Sequence, residues 1–393
     1  DLIAQDPEAV LEDFAILDGP DLAEQPVLLV SWTRHAVAEI SAHHLDDGTR
    51  LPDGRDRVPL PGLGSLGTLV ARPEGGHEAW FSYTDHTTPP HVYRIVLTPG
   101  AVPEMHLHAR PPGTVTVPPV RTHQISYPSA DGTTVRMFVI ARADALDPQG
   151  RPRRPQPTIL YGYGGFGLPL NPGYSASILA WVESGGVYAV ANLRGGSEEG
   201  EDWHRAGMLA EKHHVFEDFH GAAERLVGDG WTTAEQLTAS GGSNGGLLVG
   251  AALTQRPDLY AAVICSAPLL DMVRYERFGL GVTWNVEYGT ADDPEQLGWL
   301  LSYSPYHHVR DGVGYPAVLF TVFDSDTRVD PLHARKMCAA LQSATSSAHP
   351  VLLRAEGDVG HGARAVSRSV SLSADTLTFA AAICGLHLAP QTP

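Results

Sequence analysis

The sequence predicts an α/β protein with a mostly parallel sheet, preceded by a region built only of strands. After residue 122, short apolar runs alternate with stretches of helical spacing, as expected when helices join parallel strands. Before residue 122, β-type runs are separated by turn signals, and no helical pattern lies between them. A glycine-rich stretch, SGGSNGGLL, links a strand pattern to a helix pattern at residues 240–248.

Size and composition indicate a globular chain with room for more than one domain. Of its 393 residues, 43% are hydrophobic and 18% charged, which is unlike a disordered sequence. The formal net charge of −18 argues against nucleic acid or an anionic membrane surface as a partner. No apolar run approaches the roughly 20 residues of a membrane span. We therefore expect neither nucleic acid nor a membrane among its partners.

Cysteine and histidine spacing predicts neither a metal site nor a cofactor. The three cysteines lie far apart in apolar contexts, which favours buried free thiols over disulfides or zinc ligands. Adjacent histidines at 43–44, 213–214 and 307–308 are not expected to share one face of a helix or strand, and none belongs to an HExxH pattern. Glycine motifs for nucleotide binding are absent. The few cysteines favour a cytoplasmic location.

Residues 1–122 are predicted to form an all-β domain. The runs PVLLVSW, AVAEISAHHL, GTLVARP, HEAWFSYT and HVYRIVLT are separated by turn signals such as DDGT and PEGGH. About 120 residues supply two or three four-stranded blades of a β-propeller. No repeat is evident by eye, so the pattern alone predicts a β-sandwich equally well.

Residues 123–393 are predicted to form the α/β domain. A hairpin, ISYPSADGTTVRMFVIA, comes first, and the buried strands PTILYGYGG and GVYAVANLRGG end in glycine. Helical spacing follows in WHRAGMLA and VFEDFHGAAERLV, before LTASGGSNGGLLVGAALTQ passes from strand through a turn to a helix. AAVICSAP, PAVLFTVFDSD and PVLLRAEGD complete the set of short apolar strands. This order predicts a doubly wound, mostly parallel sheet.

The glycine-rich stretch fits the nucleophile elbow of α/β-hydrolases. Residues 241–245 read GGSNG, which matches G-x-S-x-G and lies between a strand and a helix, where such a turn lifts the serine above the sheet. Ser243 is therefore the candidate nucleophile, and the backbone N–H of Asn244 is a natural oxyanion donor. Glycine in a regular element is costly, so the cluster indicates an unusual backbone. An ordinary glycine-rich turn remains the alternative.

A serine nucleophile needs a base and an orienting carboxylate, which α/β-hydrolases supply in the order Ser, Asp or Glu, His. Asp324, Asp326 and Asp330 follow the strand PAVLFTVF, and the spacing alone leaves all three open. His361 stands between two glycines after the next strand and is the candidate base. Tyr163, in the loop YGYGGF, is a candidate second oxyanion donor.

Several motifs, in order, resemble the prolyl oligopeptidase family. They are YGYGGF, ANLRGGSEEGEDWHRAGML, GGSNGGLLVGAALTQRPDLY, WNVEYGT, SYSPYHHV, DTRVDPLHARK and the late GHG loop. The resemblance covers about residues 123–388. It implies an α/β-hydrolase domain preceded by a β-propeller, of which residues 1–122 match only about the last two blades. We therefore expect the chain to be part of a longer protein.

The resemblance also implies roles for individual residues. Ser243, Asp326 and His361 match the catalytic triad; Asp326 is chosen over Asp324 because it stands two residues before an arginine, as the family's acid does. Tyr163 and the Asn244 amide match the oxyanion donors. Arg328 matches the family's arginine that binds a substrate carbonyl. The residues that match the walls of the proline pocket are Phe166, Leu269, Trp284, Tyr288 and Val329.

The function implied by the resemblance is a serine peptidase that cleaves short, proline-containing peptides after proline through an acyl-enzyme, without cofactor or metal. A flat, apolar proline ring without an N–H suits an indole face. A related peptidase with other P1 specificity or a peptide macrocyclase is an alternative; Glu287 is the one nearby carboxylate that could serve a basic P1 residue, and we interpret it as peripheral. A catalytically silent scaffold that binds a protein partner is an alternative of another class.

Overall fold

The computed structural model describes residues 1–22, 25–112, 118–362 and 364–387. The chain forms two compact units. Unit 1 comprises Asp1–Val117, Asn171–Leu179 and Glu198–Gly200, and unit 2 comprises Pro118–Leu170, Ala180–Ser197 and Glu201–Pro393. The division after Val117 falls a few residues before the predicted boundary at 122, because the first strand of unit 2 already begins at Val120.

Unit 1 contains two antiparallel sheets. The first has the order β1-β2-β3, with β1 Val10–Leu17, β2 Val27–Arg34 and β3 Val37–His44. The second has the order β4-β6-β7-β8, with β5 paired to β6; its strands are β4 Ser65–Leu66, β5 Val70–Ala71, β6 Glu78–Thr84, β7 His91–Val96 and β8 Glu104–Ala109. His35 and Ala36 join β2 to β3 with φ of 53° and 63°, as a two-residue type I′ hairpin turn requires.

One hydrophobic core in unit 1 takes side chains from both sheets, among them Leu17, Leu29, Ile40, Phe81 and Ile95. Strands β1 and β8 are absent from the runs predicted from the sequence. Most of β8 is exposed, so it has no apolar face to detect. Only the second half of β1 alternates between buried and exposed positions, and its acidic first half hides the pattern.

Unit 2 is built on an eight-stranded sheet with the order β16-β15-β14-β13-β11-β12-β10-β9. The six strands β11 to β16 all run parallel to their neighbours among these six. Strands β9 and β10 form an antiparallel hairpin at one edge of the sheet, as predicted. The strands are β9 Val120–Pro128, β10 Thr134–Arg142, β11 Thr158–Tyr161, β12 Val187–Asn192, β13 Leu237–Gly242, β14 Ala262–Ser266, β15 Ala317–Phe323 and β16 Val351–Glu356.

The helices are α1 Ala176–Glu183, α2 Glu201–Arg205, α3 His213–Gly228, α4 Asn244–Gln255, α5 Asn285–Tyr288, α6 Pro294–Tyr303, α7 Leu332–Ala344 and α8 Val366–Cys384. Helix α4 is buried over most of its length because its sequence, NGGLLVGAALTQ, has no charged face. Helix α6 begins where Asp293 caps the backbone N–H groups of Glu295 and Gln296, and α8 ends at the left-handed Gly385.

Two further expectations concern the cysteines and the membrane. Cys265, Cys338 and Cys384 are buried and free, which confirms the interpretation of their apolar contexts. Over the described ranges, no helix combines the length and the apolar character needed to cross a membrane.

Candidate active site

Ser243 stands at a strained turn between β13 and α4. Its φ of 57° and ψ of −118° are rare for a residue with a side chain. The turn is possible because its neighbours are glycines: a Cβ at Gly241 would lie 2.1 Å from the Gly245 carbonyl oxygen, and one at Gly245 would lie 2.6 Å from that of Gly162. The Ser243 N–H donates to the Ser266 carbonyl at 2.9 Å, which ties the turn to β14. This is the geometry of a nucleophile elbow.

Asp326 and His361 form a hydrogen-bonded pair in the loops after β15 and β16. The His361 Nδ1 lies 2.6 Å from Asp326 Oδ2, and the Asp326 side chain is 1% exposed. The other oxygen, Oδ1, accepts the backbone N–H groups of Arg328 and Val329 at 2.9 and 3.0 Å. Burial alone would raise the pKa of Asp326, but the bonds from His361 and the two N–H groups outweigh it and hold that pKa below its ordinary value.

The other two candidate acids have different partners. Asp324 is exposed and pairs with Arg335 at 3.1 Å. Asp330 accepts the N–H of Leu332 at 2.9 Å, at the start of α7. Neither makes a described contact with His361, so Asp326 is the one of the three that orients this imidazole.

Tyr163 and Asn244 are hydrogen-bonded to each other next to the elbow. The Tyr163 phenol interacts with the Ser243 side chain. Burial raises the pKa of Tyr163, so its phenol keeps its proton and remains a donor at neutral pH. The Asn244 side chain donates to the Tyr163 carbonyl at 2.6 Å and accepts the Tyr288 hydroxyl at 2.8 Å. As the first residue of α4, Asn244 has a backbone N–H without an acceptor inside the helix.

No hydrogen bond joins Ser243 to His361 within the described part of the chain. Of the described residues, the Asp326 carboxylate alone orients the His361 imidazole. Catalytic hydrogen bonds of this kind are often long without substrate and shorten when it binds.

Two of the five predicted pocket residues present an aromatic surface to solvent. Phe166 and Trp284 are partly exposed and meet edge to face, with ring centroids 6.4 Å apart at an interplanar angle of 80°. Tyr288 is fully buried and meets Phe166 edge to face at 5.6 Å. Leu269 and Val329 are 2% and 3% exposed. These three side chains are buried, so Phe166 and Trp284 are the accessible surfaces of the group.

Arg328 lies on the same loop as Asp326 and is exposed. Its backbone N–H donates to Asp326 Oδ1 at 2.9 Å, while its guanidinium has no hydrogen-bond or ion-pair partner among the described residues. Arg328 therefore lies close to Asp326, from which it is two residues away in the chain.

The buried ion pair of Glu287 and Lys212, which the half-buried His204 also contacts, was not predicted. The Glu287 carboxylate is 2% exposed and lies 3.2 Å from Lys212 Nζ and 2.9 Å from His204 Nε2. Glu287 is therefore neither peripheral nor free to bind a basic ligand, because its charge is already paired. A sequence signal existed: Lys212 is one of two lysines in the chain, and Glu287 stands inside an aromatic motif.

One cluster in the described ranges could hold a metal ion. Glu211, His213 and His214 each place a ligand atom within 4.8 Å of the others, at the start of α3. The His213 and His214 rings lie 4.1 Å apart, whereas the sequence predicts that they do not share one face; the two neighbouring side chains turn towards each other from adjacent positions of α3. Both Nδ1 atoms already contact backbone carbonyls. The cluster is at the surface, and it shares no residue with the site around Ser243.

Comparison with known proteins places these features in a family. The model of the prolyl oligopeptidase family matches residues 172–387, more than half of the chain. A prolyl endopeptidase from Elizabethkingia miricola is 39% identical over 325 residues, which cover 82% of this chain and 45% of that protein. The chain spans about half the length of the curated relatives it matches.

Solved structures agree with the sequence matches. One structure from a study of two prolyl endopeptidases superimposes with a TM-score of 0.85 at 42% identity, covering 98% of this chain and 54% of that one. Prolyl oligopeptidase B from Galerina marginata, solved with a substrate for hydrolysis and macrocyclization, superimposes with a TM-score of 0.84 at 26% identity over 99% of this chain and 53% of that one.

The similarity extends over nearly the whole chain and therefore includes both units. It confirms the predicted fold class, an α/β-hydrolase domain preceded by part of a β-propeller, and decides against the β-sandwich. With this fold, the family match over residues 172–387 and the elbow at Ser243, the chain belongs to the prolyl oligopeptidase family.

Proposed function

We propose that this chain carries the catalytic machinery of a serine peptidase that cleaves short peptides on the carboxyl side of proline. The observation that carries the proposal is the strained elbow at Ser243, together with the paired Asp326 and His361 in the loops after β15 and β16. Membership of the prolyl oligopeptidase family supports it.

The reaction assigns one role to each group. His361 takes the Ser243 proton through Nε2 while Ser243 Oγ attacks the peptide carbonyl carbon, and Asp326 holds the imidazole through Nδ1. The Asn244 N–H and the Tyr163 hydroxyl donate to the oxyanion. The imidazolium then gives its proton to the leaving amine, and an acyl-enzyme forms. A water molecule, deprotonated by His361, releases the acid product and restores Ser243.

Specificity for proline is supported by the character of the accessible pocket surface. Phe166 and Trp284 offer apolar aromatic faces, which suit a ring that has no N–H to satisfy. A basic P1 residue would need an unpaired carboxylate, and the charge of Glu287 is paired with Lys212. A basic-P1 peptidase is therefore the weaker alternative.

The mechanism is tested with a serine-directed phosphonate and with the Ser243→Ala variant. We expect stoichiometric labelling of the wild type and none of the variant. Equal labelling of both proteins would rule out Ser243 as the nucleophile, and an unlabelled wild type would favour the silent scaffold.

Specificity is tested on peptides that differ only in having proline, alanine, arginine or phenylalanine at P1. We expect kcat/KM for proline to exceed the others by about 100-fold, the upper range for discrimination by an apolar pocket. A preference for arginine would contradict the proposal.

Macrocyclization is a second candidate because the Galerina marginata enzyme was solved with a substrate for hydrolysis and macrocyclization. In that reaction the amino terminus of the substrate replaces water as the acceptor of the acyl group. Mass spectrometry separates the outcomes, since a cyclic product is lighter than the hydrolysed peptide by one water molecule.

A further inference from the structure

We propose that Lys212 and Glu287 form a buried clamp that positions the loop carrying Tyr163 and Phe166. The clamp thereby fixes the positions of an oxyanion donor, Tyr163, and of a wall of the substrate pocket, Phe166. The proposal rests on the proposed function, in which Tyr163 and Phe166 act on the same peptide. Both clamp residues are positioning residues, because they act through the loop.

The loop needs such support because its backbone is irregular. Gly164, Phe166 and Gly167 have φ of 63°, 59° and 61°, all in the left-handed region. Glycine tolerates this conformation, but for Phe166 it is strained and persists only if the surroundings hold it. No helix or strand covers residues 162–167. Their polar backbone groups must therefore find partners outside regular structure.

Lys212 and Glu287 supply two of these partners. Lys212 Nζ donates to the Gly164 carbonyl at 2.8 Å, and the Phe166 N–H donates to Glu287 Oε1 at 3.0 Å. The two bonds hold the peptide groups on either side of Gly165. Lys212 Nζ and Glu287 Oε1 are themselves 3.2 Å apart, so the two arms of the clamp are joined.

Because Lys212 and Glu287 are buried, these hydrogen bonds are strong, and removing one of them costs more free energy than it would at the surface. The side chains of Lys212 and Glu287 are each 2% exposed. Burial lowers the pKa of Lys212, while the Glu287 carboxylate acts in the opposite direction and favours the ammonium form. His204 Nε2 contacts the second carboxylate oxygen of Glu287 at 2.9 Å. A buried ion pair is often no more stabilising than apolar side chains of the same size. A gain in folding free energy therefore does not by itself explain why a charged pair stands here.

The clamp connects parts of the site that come from distant segments. Lys212 precedes α3, whereas Glu287 lies in α5 directly before Tyr288. Tyr288 meets Phe166 edge to face and donates to the Asn244 side chain. A shift of the loop would therefore disturb the oxyanion donor and the pocket together, and we expect kcat and KM to change in the same variant.

The experiment compares Lys212→Met, Glu287→Met and the double variant. Each single variant leaves one buried charge without its partner, so its melting temperature should fall. The double variant removes both charges at conserved volume, and its melting temperature should recover. Because the loop bonds are still missing, we expect kcat/KM on a proline peptide and the rate of phosphonate labelling to stay at least tenfold below wild type.

A second comparison isolates the bond to Phe166. The double variant Lys212→Met, Glu287→Gln is also uncharged but keeps an oxygen that can accept the Phe166 N–H. It should show a lower KM than Lys212→Met, Glu287→Met at similar stability. Lys336→Met is the matched control: it removes the other lysine, whose partner Asp271 keeps Arg274 at 3.1 Å, and it should leave the labelling rate unchanged.

The proposal is overturned if the double methionine variant regains both the stability and the wild-type rates, since the pair would then serve charge compensation alone. Labelling rates keep this test separate from the proposed function. A wild type that is labelled but does not cleave after proline contradicts the proposed specificity, while the labelling rates of the variants still decide whether the clamp positions the loop.

Discussion

At the scale of single residues, the proposed reaction depends on the elbow and on the Asp326–His361 pair. The serine could be named from G-x-S-x-G placed between a strand and a helix. The acid could not be selected from spacing, because Asp324, Asp326 and Asp330 follow the same strand. The choice of Asp326 came from a resemblance, and the structure places this carboxylate 2.6 Å from His361.

Replacing Asp326 with asparagine should lower kcat by about 10⁴-fold, because an amide no longer holds the catalytic tautomer of His361. Steady-state kinetics on a proline peptide measure the effect. Asp324→Asn is the control, since Asp324 pairs with Arg335 and should change kcat by less than about twofold. A similar loss in both variants would contradict the role assigned to Asp326.

At the scale of elements, loops after the strands of a parallel sheet present the polar groups, while the helices fix the positions of these loops. The elbow depends on β13 meeting α4 through backbone that only glycine can supply at positions 241 and 245. Helix α7 is also tied to the loop after β14, because His333 Nδ1 accepts the Asp271 N–H at 3.1 Å. Each feature depends on one side chain or one glycine, so single substitutions can test them.

Gly241→Ala should destabilise the elbow, whereas Gly242→Ala should not. A Cβ at Gly241 would lie 2.1 Å from a backbone oxygen, but at Gly242 the nearest atom is an ordinary contact at 3.6 Å. We expect Gly241→Ala to lose about 1–3 kcal/mol of stability and most of its phosphonate labelling. Urea unfolding and labelling measure the two effects, and equal behaviour of the two variants would contradict the steric argument.

His333 should make the protein less stable as the pH falls. It is 2% exposed, and burial lowers its pKa to about 4. Because the unfolded state takes up a proton near pH 6.5, stability is complete above that pH and is lost as the pH falls towards 4. Protonation of Nδ1 would also oppose the backbone N–H groups of Leu270 and Asp271 that it now accepts.

We expect this histidine to account for up to about 3 kcal/mol of the stability lost between pH 6.5 and pH 4. Urea unfolding of wild type and His333→Gln across this range measures it. The variant should show a shallower loss, since glutamine cannot take up the proton. Parallel curves for the two proteins would show that His333 does not titrate differently in the folded state.

At the scale of the whole molecule, unit 2 is held together by its sheet and by a buried charge network that joins distant segments. Arg194 follows β12 and is 3% exposed, and it lies 2.6 Å from Asp218 of α3 and 2.6 Å from Asp131 of the β9–β10 turn. Asp218 is fully buried. This network connects the hairpin edge of the sheet to a helix that packs on its face.

Replacing Arg194 with methionine should cost about 3–5 kcal/mol, because it leaves the buried Asp218 charge without a cationic partner. Asp131→Asn is the matched control: the Asp131 side chain is 36% exposed, and its loss should cost less than about 1 kcal/mol. Urea unfolding followed by tryptophan fluorescence compares the two. Equal losses would show that burial of Asp218 does not decide the cost.

Periodicity and the G-x-S-x-G turn are local signals, so they predicted the α/β class of residues 123–393, the succession of strands and helices along the chain, and Ser243 as the candidate nucleophile. They did not reveal strands β1 and β8, whose burial patterns are weak. Spacing left open which aspartate meets His361, which pocket side chains stay accessible, and whether Glu287 is paired, and the packed structure answers all three. Those contacts join residues far apart in the chain, and their geometry depends on how strands and loops pack, which no local pattern records.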